Sequence, residues 1–210
     1  MSSRIIRVRG TAEASAVPDT VVISFDIESY NYDYGRCLEQ LSSQTEILRN
    51  DLATAGLEKD SLKTFHFQVD THYEHYDRRR VFKGYRASHD VRVEFPFEQD
   101  LLNSILQALS KTASSATFNL SFTVKDIEPL RRKAIADAVK NCEEKANILA
   151  EAARVSLGEL IEIDYSWSEV RFQPRMELCV SEDHAGPGSF DISPEDIDVS
   201  ESVTAIWAIK

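Results

Sequence analysis

Between residues 20 and 29 the chain alternates without a break: Val21, Ile23, Phe25 and Ile27 take one side, and Ser24, Asp26 and Glu28 the other. Successive side chains of a strand point to opposite faces, so this segment is a strand with one dry and one wet side. A sheet made of such strands has to be covered on its dry face. The same period recurs at 4–14, and again at Phe65, Phe67, Val69, Thr71 and Tyr73, then at Tyr85, Ala87, His89, Val91, Val93 and Phe95. Pro18-Asp19 is turn chemistry, which predicts a hairpin between the first two strands, and 77–84 reads as the loop of a second hairpin. Further strands are predicted at 116–124, 161–167 and 170–180, the last interrupted by Pro174, and at 199–209. Ile206 and Ala208 give that final strand a partly apolar second face, which predicts an interior place in its sheet.

Three stretches switch to helical spacing. Leu38, Leu41, Thr45, Leu48, Leu52 and Ala55 advance by threes and fours and are followed by Gly56, a C-terminal cap residue. A seam this regular suits helix-on-sheet packing, since three turns are short for a coiled coil. Leu101, Ile105, Ala108 and Leu109 mark a second helix within 97–111. The longest starts at Asp126-Ile127-Glu128-Pro129, where proline tolerates the first position and acids complement the dipole. Its inner stripe reads Ala134, Ala138, Cys142, Ala146, Leu149 and Ala153. Small side chains let that helix approach its neighbour closely. The predicted order is ββαββαβαβββ, with strands joined by short turns and therefore antiparallel: an α+β fold, its sheets packed by one long Ala-rich helix and two shorter ones. The 210 residues suit a single domain over 1–210, with 1–96 and 97–210 as the alternative division into subdomains.

Composition excludes more than it identifies. Twenty-four Lys and Arg against thirty-five Asp and Glu leave a net charge of −11, a field that repels phosphates and anionic membranes unless a local patch overrides it. Of the seven glycines only Gly186 and Gly188 are near neighbours, so no GxGxxG or Walker-type phosphate cradle exists. No apolar stretch approaches the ~20 residues of a spanning helix. Charges interrupt the apolar residues of 1–9 before a signal-peptide core can form, and Cys37, Cys142 and Cys179 are odd in number without a CxxC spacing. The expected compartment is the cytoplasm. Glu182, Asp183, Asp191, Glu195, Asp196, Asp198 and Glu201 gather among Gly186, Pro187, Gly188 and Pro194 with no Lys or Arg between Arg175 and Lys210, so 181–198 reads as an acidic mobile loop.

Four stretches carry a family likeness by their order: Val8-Arg9-Gly10-Thr11-Ala12-Glu13-Ala14 leading to Pro18-Asp19; Gly84-Tyr85-Arg86-Ala87-Ser88; Ala134, Ala138, Lys145-Ala146 and Leu149-Ala150 followed by Leu157-Gly158; and 197–204. Together they resemble the SIMPL-domain family over nearly the whole chain. The resemblance implies long helices on antiparallel sheets, self-assembly into larger particles and no assigned biochemical activity; bacterial members are linked to the envelope and to oxidative stress, an animal relative to kinase signalling. Gly10, Pro18, Asp19, Gly84 and Tyr85 match the family, with structural work implied: turns, close backbone approach and a buried ring. Where the family often has glycine after the long helix, this chain has Arg154-Val155-Ser156.

Candidate chemistry is sparse. His66, Asp70 and His72 share a strand face, but His66 and His72 lie about 20 Å apart along a strand, too far for one zinc. His89 falls on an apolar face and reads as a hydrogen-bonded core histidine. Arg78, Arg79, Arg80, Lys83 and Arg86, flanked by Tyr73, Tyr76, Phe82 and Tyr85, form the one basic cluster. Cations among rings can grip single strands, yet the net charge argues against nucleic acid, and docking of the acidic loop across a subunit boundary is the better use. No GxSxG elbow or EF-hand spacing occurs. No catalytic, cofactor or metal residue is assigned. The expected function is that of a non-enzymatic protein that self-associates or binds a protein partner, with Arg78, Arg79 and Arg80 as interaction residues; the alternative is an enzyme or a small-ligand or metal binder using a pocket between sheet and helices.

Overall fold

The computed structural model describes residues 4–76, 79–111, 116–165 and 191–210. Its strands are β1 (Ile5–Ala16), β2 (Thr20–Asn31), β3 (Lys63–Tyr76), β4 (Arg79–Pro96), β5 (Thr117–Thr123), β6 (Leu157–Asp164) and β7 (Ile197–Ile209). Its helices are α1 (Tyr34–Thr54), α2 (Gln99–Lys111) and α3 (Glu128–Ala152), with a 3-10 turn at Lys59–Ser61. All pairings are antiparallel, in two sheets of order β1-β7-β6 and β3-β4-β2-β5. The fold is α+β, as the patterning predicts. The strand expected at 170–180, together with Trp167, Cys179 and the loop residues 181–190, lies outside the described residues.

The first hairpin does not form. β1 pairs along its whole length with β7, Ile5 opposite Ala208 and Ala16 opposite Ile197, while β2 pairs with β4 and β5. Pro18, which is buried, and Asp19, which is exposed, carry the chain from one sheet to the other. The Asp19 amide donates to the Thr123 carbonyl at 3.2 Å and its carbonyl accepts from the Phe97 amide at 2.8 Å. The chain therefore divides into two discontinuous units, one containing β1, α3, β6 and β7 and the other β2 to β5 with α1 and α2. A cut between residues 96 and 97 would separate β1 from β7 and β2 from β5. Ile197 and Asp198, read as the end of the acidic loop, belong to β7; Asp198 accepts from the Ser15 hydroxyl at 2.6 Å.

In the unit built on β1, β7 and β6, α3 packs so closely that its inner stripe is Ala134, Ala138, Cys142, Ala146 and Ala150. The stripe runs by fours to its end, which leaves Leu149 47% exposed and Ala153 exposed, contrary to the sequence reading. Gly10 makes this approach possible. A methyl group there would press on the Ala138 carbonyl and lie 2.7 Å from both the amide nitrogen and the sulfur of Cys142. α3 also covers the edge of β1: Asn141 Oδ1 accepts from the Thr11 amide at 3.2 Å, and Lys145 Nζ donates to the Arg9 carbonyl at 3.0 Å. Unsatisfied edge groups of a strand invite foreign pairing, and these two are taken. α3 ends in a Schellman motif, with Val155 N bonded to the Ala150 carbonyl and Arg154 N to that of Glu151, which holds Arg154 at φ +57°.

In the other unit α1 and α2 cover one face of the four-stranded sheet. Val21, Ile23, Phe25 and Ile27 meet Leu41, Leu48, Leu52, Leu102 and Ile105 in a dry core, so the heptad-like seam of α1 is used within the chain. Asp33 caps α1 by accepting from the Arg36 amide at 2.9 Å, and Gly56 at φ +110° closes it. The opposite face is polar: Asp26 stands directly across from Asp90, and Glu28 from Ser88.

Candidate functional site

Several of the exposed rings among the described residues gather at one end of the second sheet. The sequence predicts a loop over 77–84, but β3 and β4 run on to Tyr76 and Arg79, which pair with each other as His75 does with Arg80. Arg79 and Arg80 therefore project from a strand, both exposed, and Arg78 lies outside the described residues. A register shift between His72 and Tyr73 bulges the hairpin beside Gly84, whose φ is +108°. Gly84 is buried; a methyl group on it would press on the Asn31 carbonyl and stand 2.7 Å from the Tyr32 Cα. The bare backbone lets the end of β2 pass close to β4, which brings the tyrosines after β2 to the hairpin.

Phe82 is the hub of the ring chain that results. Its centroid lies 5.5 Å from Tyr73, 5.7 Å from Tyr85 and 6.4 Å from Tyr32, and Tyr85 is 5.4 Å from Tyr34, all edge to face. Tyr32, Tyr34 and Phe82 are 67%, 50% and 40% exposed. Tyr85 is half-buried rather than the buried ring the resemblance implies. The Arg80 guanidinium stacks 3.8 Å above the Tyr73 ring. Lys83 pairs with Glu74 at 3.2 Å and Arg86 with Glu28, so among the described residues of the cluster Arg79 and Arg80 are the cations left outward. The sequence shows Tyr73, Phe82 and Tyr85 beside the basic cluster; it was the two-residue spacing of Tyr30, Tyr32 and Tyr34 that could have announced the rest.

Around this surface the charges are ordered by neighbours. Arg86 and the Tyr30 hydroxyl, which donates at 2.6 Å, hold the Glu28 carboxyl below its ordinary range, and the same bond raises the Tyr30 phenol. Asp26 is raised, first by burial, then by Glu28 and Asp90. His66 bonds Gln68 at 3.0 Å, and His72 packs edge-on against Tyr30, so the histidines of β3 do not converge on one centre. Among the described residues no group of three acidic, histidine or cysteine side chains has metal-binding geometry.

His89 occupies a different setting, a half-open cleft of about 370 Å³ between α1 and the β3–β4 hairpin. Leu38, Leu41, Thr45, Arg49 and Phe67 line it with His89. Thr45 commits its hydroxyl proton to the Leu41 carbonyl at 2.9 Å, so the 3.1 Å contact to His89 Nδ1 requires Nδ1–H to donate. His89 Nε2 then accepts from Thr64 at 2.8 Å in the neutral ring. The hydrogen bonds predicted from sequence are present, but His89 is half-buried at the cleft wall rather than part of the core. Burial lowers its pKa, with Asp90 opposing and Arg49 adding to the shift.

Other chemistry-bearing groups are packed away. Cys37 and Cys142 are buried free thiols, the latter donating to the Val203 carbonyl at 3.1 Å. Glu201, read from sequence as part of an acidic run, is buried in β7. Its carboxylate receives the Tyr165 hydroxyl at 3.1 Å and lies 3.5 Å from Arg131. No helix among the described residues is long and apolar enough to cross a membrane.

A family model described as "SIMPL: Protein of unknown function (DUF541)" matches residues 6–207. The chain is 28% identical over 169 residues to the uncharacterized protein YggE of Edwardsiella ictaluri, spanning 80% of this chain and 70% of that one. It is 24% identical to YggE of Escherichia coli K12, over 80% of this chain and 68% of that one. A solved structure, the de novo designed protein Foldit4, aligns with 51% of the chain at 13% identity and a TM-score of 0.26, too low to bear on the fold.

Proposed function

Because the chain belongs to the SIMPL family, whose described activity is unknown, we propose a function from its own surface: it is a non-enzymatic protein that works by binding other protein chains, a second copy of itself first among them. The observation that carries this reading is the exposed ring chain centred on Phe82 with Arg80 stacked beside it. Tyr and Arg dominate the energetics of protein interfaces, because large rigid rings are desolvated at small entropic cost and the guanidinium adds direction. The cytoplasm is the compartment we propose for it, on the support of the unpaired thiols Cys37 and Cys142. Light scattering over a range of concentrations tests the reading. Mass rising with concentration, and falling back in Phe82→Ser by a loss of about 2 kcal/mol of association energy, supports it. A strictly monomeric parent protein overturns it.

A second reading, small-ligand binding, draws on the cleft lined by Leu41, Arg49, Phe67 and His89, whose volume is at the low end for organic ligands. Titration with small aromatic acids that moves the His89 imidazole NMR signals would favour it, and unmoved signals would remove it.

A further inference from the structure

We propose that the hairpin surface receives the acidic segment 191–196 of a second copy, with Arg79 and Arg80 gripping Asp191, Glu195 and Asp196. The inference rests on the self-association reading above and names the partner of that surface.

Two sets of observations meet in it. On one side, Arg86 and Lys83 are neutralised by Glu28 and Glu74, whereas Arg79 and Arg80 stay exposed. Stacking on Tyr73 uses the face of the Arg80 guanidinium. Its N–H donors lie in the plane of the group, so the edge remains available in a fixed orientation, which is the geometry that takes a carboxylate. On the other side, Asp191, Glu195 and Asp196 are exposed and, among the described residues, take part in no ion pair. Ile192 packs against the core of the helix-covered sheet that also carries the hairpin, and Ile197 begins β7 in the other unit. An anchored acidic stretch loses less freedom on docking than a free tail would. Asp198 is not part of it, because Ser15 already holds that carboxylate. In a chain of net charge −11, copies repel one another unless opposite patches meet, so this complementarity also sets which faces can touch.

The test is a charge swap between copies of the full chain. One variant carries Arg79→Glu and Arg80→Glu; the other carries Asp191→Lys, Glu195→Lys and Asp196→Lys. Each alone sets like charges against like, and association by light scattering at low ionic strength is expected to weaken about tenfold or more, with unchanged thermal midpoints reporting intact folds. An equimolar mixture of the two restores opposite charges at every contact and is expected to regain the parent's mass, and this rescue is lost at high salt. A parent that associates while the Arg79/Arg80 variant associates equally well overturns this pairing but leaves self-association standing. A mixture that fails to recover mass overturns it too. So does binding of a single-stranded thymidine oligonucleotide to the parent that is lost in the arginine variant, which would assign the surface to nucleic acid. A parent that never associates removes the wider reading as well.

Discussion

At the scale of single residues, three positions work against local preference. Arg154 holds the left-handed conformation that a Schellman motif normally gives to glycine, and a side chain there costs ~1–2 kcal/mol in steric strain. Arg154→Gly relieves that strain but loosens the unfolded chain, so urea denaturation is expected to show a gain of about 0.5–1 kcal/mol. Asp26 and Asp90 stand opposite each other across β2 and β4, where like charges destabilise. Asp26→Asn is expected to stabilise the protein by roughly 0.2–1 kcal/mol at pH 7. Because the folded-state pKa of Asp26 is raised, the folded chain binds that proton more readily than the unfolded one. Its penalty therefore disappears as pH falls through that pKa, and the advantage of the Asn variant should vanish in acid. His89 has the opposite sign. Its pKa is lowered, so its contribution is complete above the unfolded value of about 6.5 and is lost as pH falls toward the folded value. Denaturation midpoints at pH 7.5 and 5.5 should therefore differ less in His89→Gln than in the parent. His89 was legible in the sequence because an isolated polar residue interrupts an apolar alternation. Glu201 was not, because its acidic neighbours in the sequence disguise a carboxylate that the fold buries against Arg131 and Tyr165.

At the scale of elements, α3 shows how a sheet surface edits a helical pattern. Leu149 is more hydrophobic than Ala150, so periodicity with a hydrophobic bias selects it. The distance between helix and sheet selects the smaller side chain instead, because Gly10 and the alanines draw the backbones too close for leucine. Leu149→Lys is expected to change stability by less than about 0.5 kcal/mol, while Ala146→Leu forces the packed layers apart at a cost of roughly 1–3 kcal/mol. Thermal or chemical denaturation of the two variants checks the ranking. The β3–β4 hairpin repeats the lesson at the surface. Polar composition at 77–84 reads as a loop, yet backbone pairing continues through Arg79 and Arg80, since a strand that leaves its edge in water accepts charged residues.

At the scale of the whole molecule, hydrogen exchange should rank β7 as the slowest strand of its sheet, being paired on both sides, with β6 faster. That order depends on partnerships no local pattern reveals. Side-chain alternation has the same period whichever strand lies alongside, so it identified strands, their dry faces and the three helices, and it showed that short-range antiparallel order was available. By itself the sequence thus determined the element types, the α+β class and the apolar residues that had to be covered. The choice of partner was a tertiary decision. β1 joins β7 across some 190 positions rather than turning back on β2, because α3 buries the face those two strands build together, and the stabilisation comes from contacts that exist only after both ends of the chain have met. The surface around Phe82 has the same origin: its rings come from β2, β3 and β4, and a glycine that permits close approach is what makes them neighbours.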